Sequence, residues 1–300
     1  MRNIALAIAA SAALLSTVPP ARAQELTGTL KKIRDSGSIM LGLQTESVPF
    51  SYNGPEGKPI GYAVDLCMRV TDGLKARLNL ATLEVKTRTV VSAARIPLLT
   101  GNVIDLTCGS MTNSLDRQAQ ISFTHAHFIS GVRALVPTAS KAQALKDLAG
   151  ERVVVATGTT AVRLIFLYEK KNEVKFNKLY AGNFAQGFSM LQEGKANAFL
   201  MDDILLSGIL AQNRAQPSYR LLPEVLHNEP YAIAMRRDPE FKKAVDEIMA
   251  SLLKGGEAEK LYQQWFMSTI PPGINLQVPL SAALREAFAN PTDKGVAEPE

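Results

Sequence analysis

The sequence is poor in the residues and motifs that most enzymes and metalloproteins use for chemistry. Its 300 residues include two cysteines, three histidines and one tryptophan. It has no G-x-S-x-G, P-loop or G-x-G-x-x-G motif, so it offers neither a nucleophile elbow nor a nucleotide cradle. Asp202 and Asp203 are adjacent and point in different directions, so they do not predict a catalytic dyad. These absences favour a binding protein without a cofactor.

A metal site is not indicated either. His125 and His127 would share one face of a strand, but no cluster of cysteines or carboxylates completes a ligand set around them. We therefore expect these two, and His227, to be polar surface or hinge residues.

The charges are nearly balanced. The formal net charge is +5, from 33 Lys and Arg residues against 28 Asp and Glu residues. This excess is too small to predict a nucleic-acid partner.

The one pronounced apolar run stands at the N-terminus. Arg2 precedes an apolar stretch from Ile4 to Leu15, and Ala21 and Ala23 have the spacing of a signal-peptidase site. The stretch is shorter than the about 20 residues that a membrane-spanning helix needs. We therefore predict that residues 1–23 are a cleaved secretory signal, with a membrane anchor as the alternative, and that the mature protein works in the periplasm. No cysteine follows the cleavage site, so a lipid anchor is not expected.

Removal of the leader leaves 277 residues, enough for two lobes of about 100–150 residues each. Cys67 and Cys108 could pair in an oxidising compartment, but the sequence does not give the distance between them. We favour two buried free thiols, because cysteine also behaves as a small hydrophobic residue.

Short apolar strands alternate with amphipathic helices along the chain. Ser38–Leu43 and Arg152–Ala156 have the composition of buried strands, whereas Tyr62–Leu78 and Ala142–Leu148 have helical spacing. This alternation predicts an α/β architecture with parallel sheets.

Two extended stretches, Ile129–Val136 and His227–Met235, are interpreted as crossings between the lobes. We therefore predict a discontinuous lobe 1, residues 24–131 and 232–300, with lobe 2, residues 132–231, inserted into it. Two crossings permit hinge closure around a ligand. The polar tail after Asn290 is expected to be disordered.

Several polar residues follow predicted strands or open predicted helices, where a small zwitterion could bind. Ser110 and Thr112 follow a strand, at the edge where open α/β sheets bind ligands, and Thr160 opens a helix whose free N–H groups suit a carboxylate. Arg95 can hold a carboxylate by two parallel hydrogen bonds, and Asp202, at a strand end, can accept from an ammonium. Taken singly, Arg95 is also typical of a structural arginine, and Thr160 and Asp202 of helix caps.

At these residues the chain becomes similar to a known family. The matching stretches are Ser47–Tyr52, Gly61-Tyr62, Arg95–Leu99, Cys108–Asn113, Val153–Val155, Gly158–Thr160, Met201–Asp203, Gly256–Lys260, Trp265-Phe266 and Ile270–Pro272. Together they resemble the periplasmic glutamate/aspartate-binding proteins of ABC importers, within the family 3 solute-binding proteins. The resemblance covers essentially the whole mature chain.

The resemblance implies a two-lobed periplasmic-binding-protein fold of type II, with two parallel-rich sheets joined by two hinge strands. It implies a monomer that captures an L-amino acid and delivers it to the permease subunits of an ABC importer, without catalysis. Arg95, Thr112 and Thr160 would hold the α-carboxylate, and Ser110 and Asp202 the α-ammonium. Ser92 would face the ligand side chain.

Two positions depart from the family pattern. Where the glutamate/aspartate binders have an arginine for the side-chain carboxylate this chain has Gln44, and where they have a histidine it has Phe184. A buried carboxylate without a charged partner is costly, so these departures predict a neutral amino acid as ligand. The alternatives are a true glutamate/aspartate binder, with another Lys or Arg supplying the charge, and a dehydratase-type enzyme on the same fold with Glu46 as the acid.

Overall fold

A computed structural model describes residues 25–297. The predicted signal segment, residues 1–23, lies outside the described residues. No helix within residues 25–297 is both long enough and apolar enough to cross a membrane.

The α-helices are numbered in chain order. They are α1 Gly28–Ser36, α2 Tyr62–Arg77, α3 Arg95–Thr100, α4 Leu115–Gln118, α5 Ala161–Asn172, α6 Phe184–Gln192, α7 Asp203–Gln212, α8 Pro239–Lys254, α9 Glu257–Tyr262 and α10 Ala282–Ala289. Short 3-10 turns cover Ser92–Ala94, Leu145–Leu148 and Gln216–Ser218, and a π-helical turn covers Gln263–Met267.

The strands are numbered in the same way. They are β1 Ser38–Leu43, β2 Glu46–Ser47, β3 Ser51–Asn53, β4 Pro59–Ile60, β5 Glu84–Thr89, β6 Leu106–Cys108, β7 Ser122–Phe123, β8 Phe128–Pro137, β9 Arg152–Ala156, β10 Asn177–Ala181, β11 Ala198–Asp202, β12 Tyr219–Leu221, β13 His227–Tyr231, β14 Ala234–Met235, β15 Thr269–Ile270 and β16 Ile274–Asn275.

Two larger sheets organise the molecule, and we call the parts around them lobe 1 and lobe 2. The lobe 1 sheet has the order β5-β1-β6-β14-β7, with β1 parallel to β5 and β6. The lobe 2 sheet has the order β10-β9-β11-β8-β12, with β9 parallel to β10 and β11. This arrangement confirms the predicted two-lobed α/β fold, in which three neighbouring strands of each sheet run parallel.

Two antiparallel strands connect the lobes. β8 leaves lobe 1, and β13 returns to it with His227 opposite Val132 and Tyr231 opposite Phe128. Tyr231 also forms an isolated bridge with Thr112, so the returning strand lies beside the segment that follows β6. The residue boundaries of the lobes at 132 and 231 stay a prediction.

The returning chain packs as a helix because its sequence specifies both the start and the buried face. Asp238 accepts a hydrogen bond from the Phe241 N–H at 3.1 Å, and Pro239 occupies the first helical turn. Phe241, Val245 and Met249 then recur at helical spacing and are fully buried. Helix α8 thereby anchors this late segment against α2 of lobe 1.

The prediction of free cysteines is wrong. Cys67 on α2 and Cys108 at the end of β6 form a disulfide, with a Cα–Cα distance of 6.2 Å. The two residues are 41 positions apart in sequence, and only the packing of α2 against β6 brings them together.

Two local predictions are also wrong. The stretch Ala142–Leu148 contains only a 3-10 turn over its last four residues. The tail, as far as residue 297, is tied to lobe 1: Val296 donates its N–H to the Asn113 carbonyl at 3.0 Å, and the Asp293 carbonyl accepts from the Gln118 side chain at 2.8 Å.

Candidate functional site

The predicted binding residues lie where the strand ends of the two lobes face each other. Gln44 follows β1 and Ser110 follows β6 in lobe 1, whereas Thr160 follows β9 and Asp202 ends β11 in lobe 2. Ligands of open α/β sheets bind at the carboxyl ends of parallel strands, and here two such ends meet across one cleft.

The lobes are closed on each other. The backbone of Gly158 in lobe 2 lies so close to lobe 1 that a Cβ there would stand 2.4 Å from the Ala93 nitrogen. A Cβ on Gly208 of α7 would likewise stand 2.5 Å from the Val48 carbonyl oxygen. Glycine therefore permits both approaches, and Arg163 and Asp116 add an ion pair between the lobes at 3.5 Å.

Arg95 is the buried cation of lobe 1. Its side chain is only 2 % exposed, and it donates to the carbonyls of Ser92 at 3.2 Å and Ser110 at 3.0 Å. Burial lowers its pKa to about 9, the neighbouring Arg117 guanidinium lowers it too, and Asp202 opposes the shift. A carboxylate bound here would compensate a charge that the surroundings leave poorly solvated.

Asp202 is the buried acid of lobe 2. It stands at the N-cap position of α7 but makes no side-chain cap bond, and its Oδ1 has no partner within residues 25–297. Burial and the nearby Glu229 raise its pKa well above the ordinary value. A buried oxygen of this kind is suited to a cationic donor such as an ammonium.

Glu229 and Arg117 lie among the predicted residues, although the sequence analysis does not identify them. Thr112 donates its hydroxyl to Glu229 Oε2 at 2.5 Å, so Thr112 faces a carboxylate of the chain itself. Arg117 donates to the Thr112 carbonyl at 2.9 Å and, across the cleft, to the Gly158 carbonyl at 3.1 Å. Burial lowers the pKa of Arg117, while Glu229 and Asp202 oppose the shift.

Gln44 connects the remaining polar residues of lobe 1. Its Nε2 donates to the Ser92 hydroxyl at 3.3 Å, and its Oε1 accepts from the Ser110 N–H and hydroxyl, each at 3.4 Å. Ser110 also lies 3.3 Å from the Ser47 hydroxyl. The Gln44, Ser92 and Ser110 side chains that form this network are therefore polar but uncharged.

Phe184 and Glu46 meet across the cleft. The ring of Phe184 is buried. The backbone N–H of Phe184 donates to Glu46 Oε1 at 2.9 Å, and the backbone N–H of Ala185 donates to Oε2 at 3.1 Å. Both carboxylate oxygens of Glu46 thus accept hydrogen bonds. This arrangement gives Glu46 a binding partner on α6 and does not favour it as a general acid.

The predicted residues other than Phe184, which bonds to Glu46, therefore form three groups. Arg95, Ser110, Gln44 and Ser92 are joined by hydrogen bonds in lobe 1, and Thr112 is linked to the Asp202 side through Glu229. Thr160 is the N-cap residue of α5 but makes no side-chain cap bond, and it lies two residues from the Gly158 contact. No hydrogen bond among the described residues links the Thr160 side chain to the other predicted residues.

The histidines do not form a metal site. No group of three or more His, Cys, Asp or Glu side chains within residues 25–297 is arranged to hold a metal ion. Of the predicted surface or hinge positions, the surface is excluded for His127, which is fully buried beside Phe50 and Tyr62, directly before the connecting strand β8. Burial lowers the pKa of His127 to about 3.

The family model of the bacterial extracellular solute-binding proteins, family 3, matches residues 39–268. The L-glutamate/L-aspartate-binding protein of Pseudomonas aeruginosa is 41 % identical over 292 residues, which cover 96 % of each chain. The glutamine-binding protein of Geobacillus stearothermophilus is 31 % identical, over 71 % of this chain and 78 % of its own.

The same architecture occurs among solved structures. A variant of ArgBP from T. maritima is 25 % identical with a TM-score of 0.69, over 80 % of this chain and 99 % of its own.

Proposed function

The chain belongs to family 3 of the bacterial extracellular solute-binding proteins, and on that premise we propose that it captures an L-amino acid between its lobes and delivers it to an ABC importer. The partners would be the permease subunits of that importer, and the site of action the periplasm. The role is binding and release rather than catalysis.

The observation that carries this proposal is the opposition of Arg95 and Asp202 in one cleft. A guanidinium that retains hydrogen-bonding capacity stands on lobe 1, and a carboxyl with an unpartnered oxygen stands on lobe 2. Asp202 acts on the pKa of Arg95, so the two groups share one electrostatic environment. The carboxylate and ammonium of an amino acid complement these two groups.

We propose a neutral side chain for the ligand. The site brings together two guanidinium groups, Arg95 and Arg117, and two carboxyl groups, Asp202 and Glu229. A zwitterion adds no net charge, and its ammonium would favour the ionised form of Asp202. Neither Gln44 nor Phe184, the two residues that we assign to the ligand side chain, carries a counter-charge for a second carboxylate.

Arg117 supports a second candidate, binding of glutamate or aspartate. It is a cation beside the cleft that could supply the charge lost at Gln44, and the relative from Pseudomonas aeruginosa is named for those two ligands. Its guanidinium already donates to two backbone carbonyls, which is why we place this candidate second.

A thermal-shift panel of the amino acids separates these candidates. Ligand binding raises the melting temperature by mass action, so a neutral specificity predicts the largest shifts with neutral amino acids. Stabilisation confined to glutamate and aspartate would reject the neutral specificity. No shift with any amino acid, together with no small molecule released on denaturation and detected by mass spectrometry, would reject amino-acid binding itself.

A further inference from the structure

One carboxylate of lobe 1 reaches across the cleft to a helix of lobe 2. Glu46 lies on the short strand β2, and its two oxygens accept the N–H groups of Phe184 and Ala185 at 2.9 and 3.1 Å. These are the first two residues of α6, a helix of nine residues. Glu46 therefore places a negative charge at the positive end of the α6 dipole.

The remaining donors at this helix end are also used. The Gln186 N–H donates to the Asn183 side chain at 2.8 Å, and the Gly187 N–H donates to the Asn183 carbonyl at 3.2 Å. The N–H groups of the first three residues of α6 thus all have partners within the chain. A ligand carboxylate would have to displace one of these partners to bind those donors.

Glu46 lies beside the end of the site assigned to the ligand side chain. It is two residues after Gln44, and it accepts a hydrogen bond from the Phe184 N–H. Gln44 and Phe184 are the two positions that depart from the family pattern. The next residue, Ser47, contacts the Ser110 hydroxyl at 3.3 Å. No lysine or arginine among residues 25–297 forms an ion pair with Glu46, so its charge is offset only by the helix end.

We propose that Glu46 is a specificity-determining residue that excludes ligands with a side-chain carboxylate. This inference rests on the proposed function and deepens it. An acidic side chain entering this end would meet a like charge and would find the α6 donors already occupied. A neutral side chain would meet neither penalty.

A purely structural role makes a different prediction. Both hydrogen bonds of Glu46 cross the cleft, so they form only when the lobes are closed. If Glu46 served only to hold the lobes together, its loss would lower the affinity for every ligand by the same factor, because every ligand requires closure of the lobes.

The test is calorimetric titration of the full mature chain with L-glutamine and L-glutamate, for the wild type, Glu46→Gln and Glu46→Ser. The serine variant is included because the Gln amide would place an N–H group against a backbone N–H. Glu56→Gln is the matched control, since Glu56 is exposed in the β3–β4 hairpin and pairs only with Lys58 at 3.3 Å.

Loss of the charge should raise the affinity for glutamate relative to glutamine by about tenfold in at least one Glu46 variant, whereas Glu56→Gln should leave the ratio within about twofold. Melting temperatures establish that the variants are folded.

An equal loss of affinity for glutamine and glutamate, or an unchanged ratio of the two affinities in folded variants, overturns the role of Glu46. Either result leaves the proposed neutral specificity intact. A wild type that prefers glutamate overturns the specificity and the role of Glu46 together.

Discussion

The two faces of the cleft carry opposite chemistry. The lobe 1 face presents the Arg95 and Arg117 guanidinium groups with the Ser110 hydroxyl, whereas the lobe 2 face presents Asp202 and the start of α5 at Thr160. On our proposal, the buried charges of the two faces, Arg95 on lobe 1 and Asp202 on lobe 2, match opposite ends of a zwitterion. A ligand that satisfies both must bridge them, so closure is part of binding rather than a consequence of it.

The lobes also differ in what holds their binding residues in place. In lobe 1 the Cys67–Cys108 disulfide ties α2 to the last residue of β6, directly before the Gly109-Ser110 segment. No disulfide lies in the part of lobe 2 that the structure describes, and Asp202 is positioned by packing of β11 between β9 and β8. We therefore expect the disulfide to hold the lobe 1 residues of the cleft in position, and the packing of the hydrophobic core to hold those of lobe 2.

The largest expected effect tests the cationic face. Arg95→Ala should weaken amino-acid binding about a thousandfold, because truncating one partner of a buried charged pair costs about 2–5 kcal/mol or more. Arg88→Ala, at an exposed arginine on β5 of the same lobe, is the control and should bind as the wild type does. Calorimetry measures the affinity of both variants, and an unchanged affinity in a folded Arg95→Ala protein would show that Arg95 does not bind the ligand carboxylate.

Loss of the disulfide should have the next largest effect, on stability. A cross-link that closes a loop of 41 residues stabilises by about 4 kcal/mol in the chain-entropy model. The double variant Cys67→Ala/Cys108→Ala should therefore unfold at a markedly lower denaturant concentration. Reduction of the disulfide in the wild type should lower the unfolding midpoint by the same amount. A loss below about 1 kcal/mol would mean that packing alone holds the lobe 1 face.

The local features of the fold could be predicted from the sequence. The helix predicted over Tyr62–Leu78 is observed as Tyr62–Arg77, because its apolar spacing and terminal charges are properties of the segment itself. The polar residues after strand ends could be identified for a similar reason. A polar residue that follows a buried strand is predicted to lie at the carboxyl edge of the sheet, where ligands bind. Ser110 and Asp202 were found in this way.

Long-range partners could not be predicted. Thr112 and Glu229 are 117 residues apart, and their contact depends on β13 returning beside the segment after β6. The disulfide depends likewise on the packing of α2 against β6. Nothing in the periodicity of either segment specifies such a neighbour. The bonds of Val296 and Asp293 to lobe 1 have the same origin, so composition alone predicted disorder for the tail.

The acidic face should give a smaller effect on binding. Asp202→Asn keeps the shape and removes the charge, so we expect about a thirtyfold loss of amino-acid affinity, corresponding to about 2 kcal/mol. Asp202 makes no helix-cap bond, so folding should survive the change. Glu151→Gln, at an exposed carboxylate of lobe 2, is the control. Equal affinities for wild type and Asp202→Asn, measured by calorimetry, would exclude an ionic contact with the ammonium.

The smallest expected effect, taken per pH unit, concerns the pH dependence of stability. The pKa of Asp202 is raised in the folded protein by burial and by Glu229, so the folded state keeps a proton that the unfolded state releases above its ordinary pKa of 3.8. Without ligand, stability should therefore fall as the pH rises above about 4, by about 1.4 kcal/mol for each pH unit over which only the folded state holds this proton. Denaturant titrations should show this slope reduced in Asp202→Asn, and parallel pH profiles would contradict the assignment.

The central claim is that Arg95 of lobe 1 holds the carboxylate and Asp202 of lobe 2 the ammonium of one molecule. Calorimetry of the wild type and Asp202→Asn with L-glutamine and with 4-carbamoylbutanoate, which is glutamine without its amino group, tests it most directly. Removal of the amino group should cost the wild type at least about tenfold in affinity and cost Asp202→Asn little, since the partner of that group is then already gone. An equal loss in both proteins would show that the ammonium does not bind at Asp202.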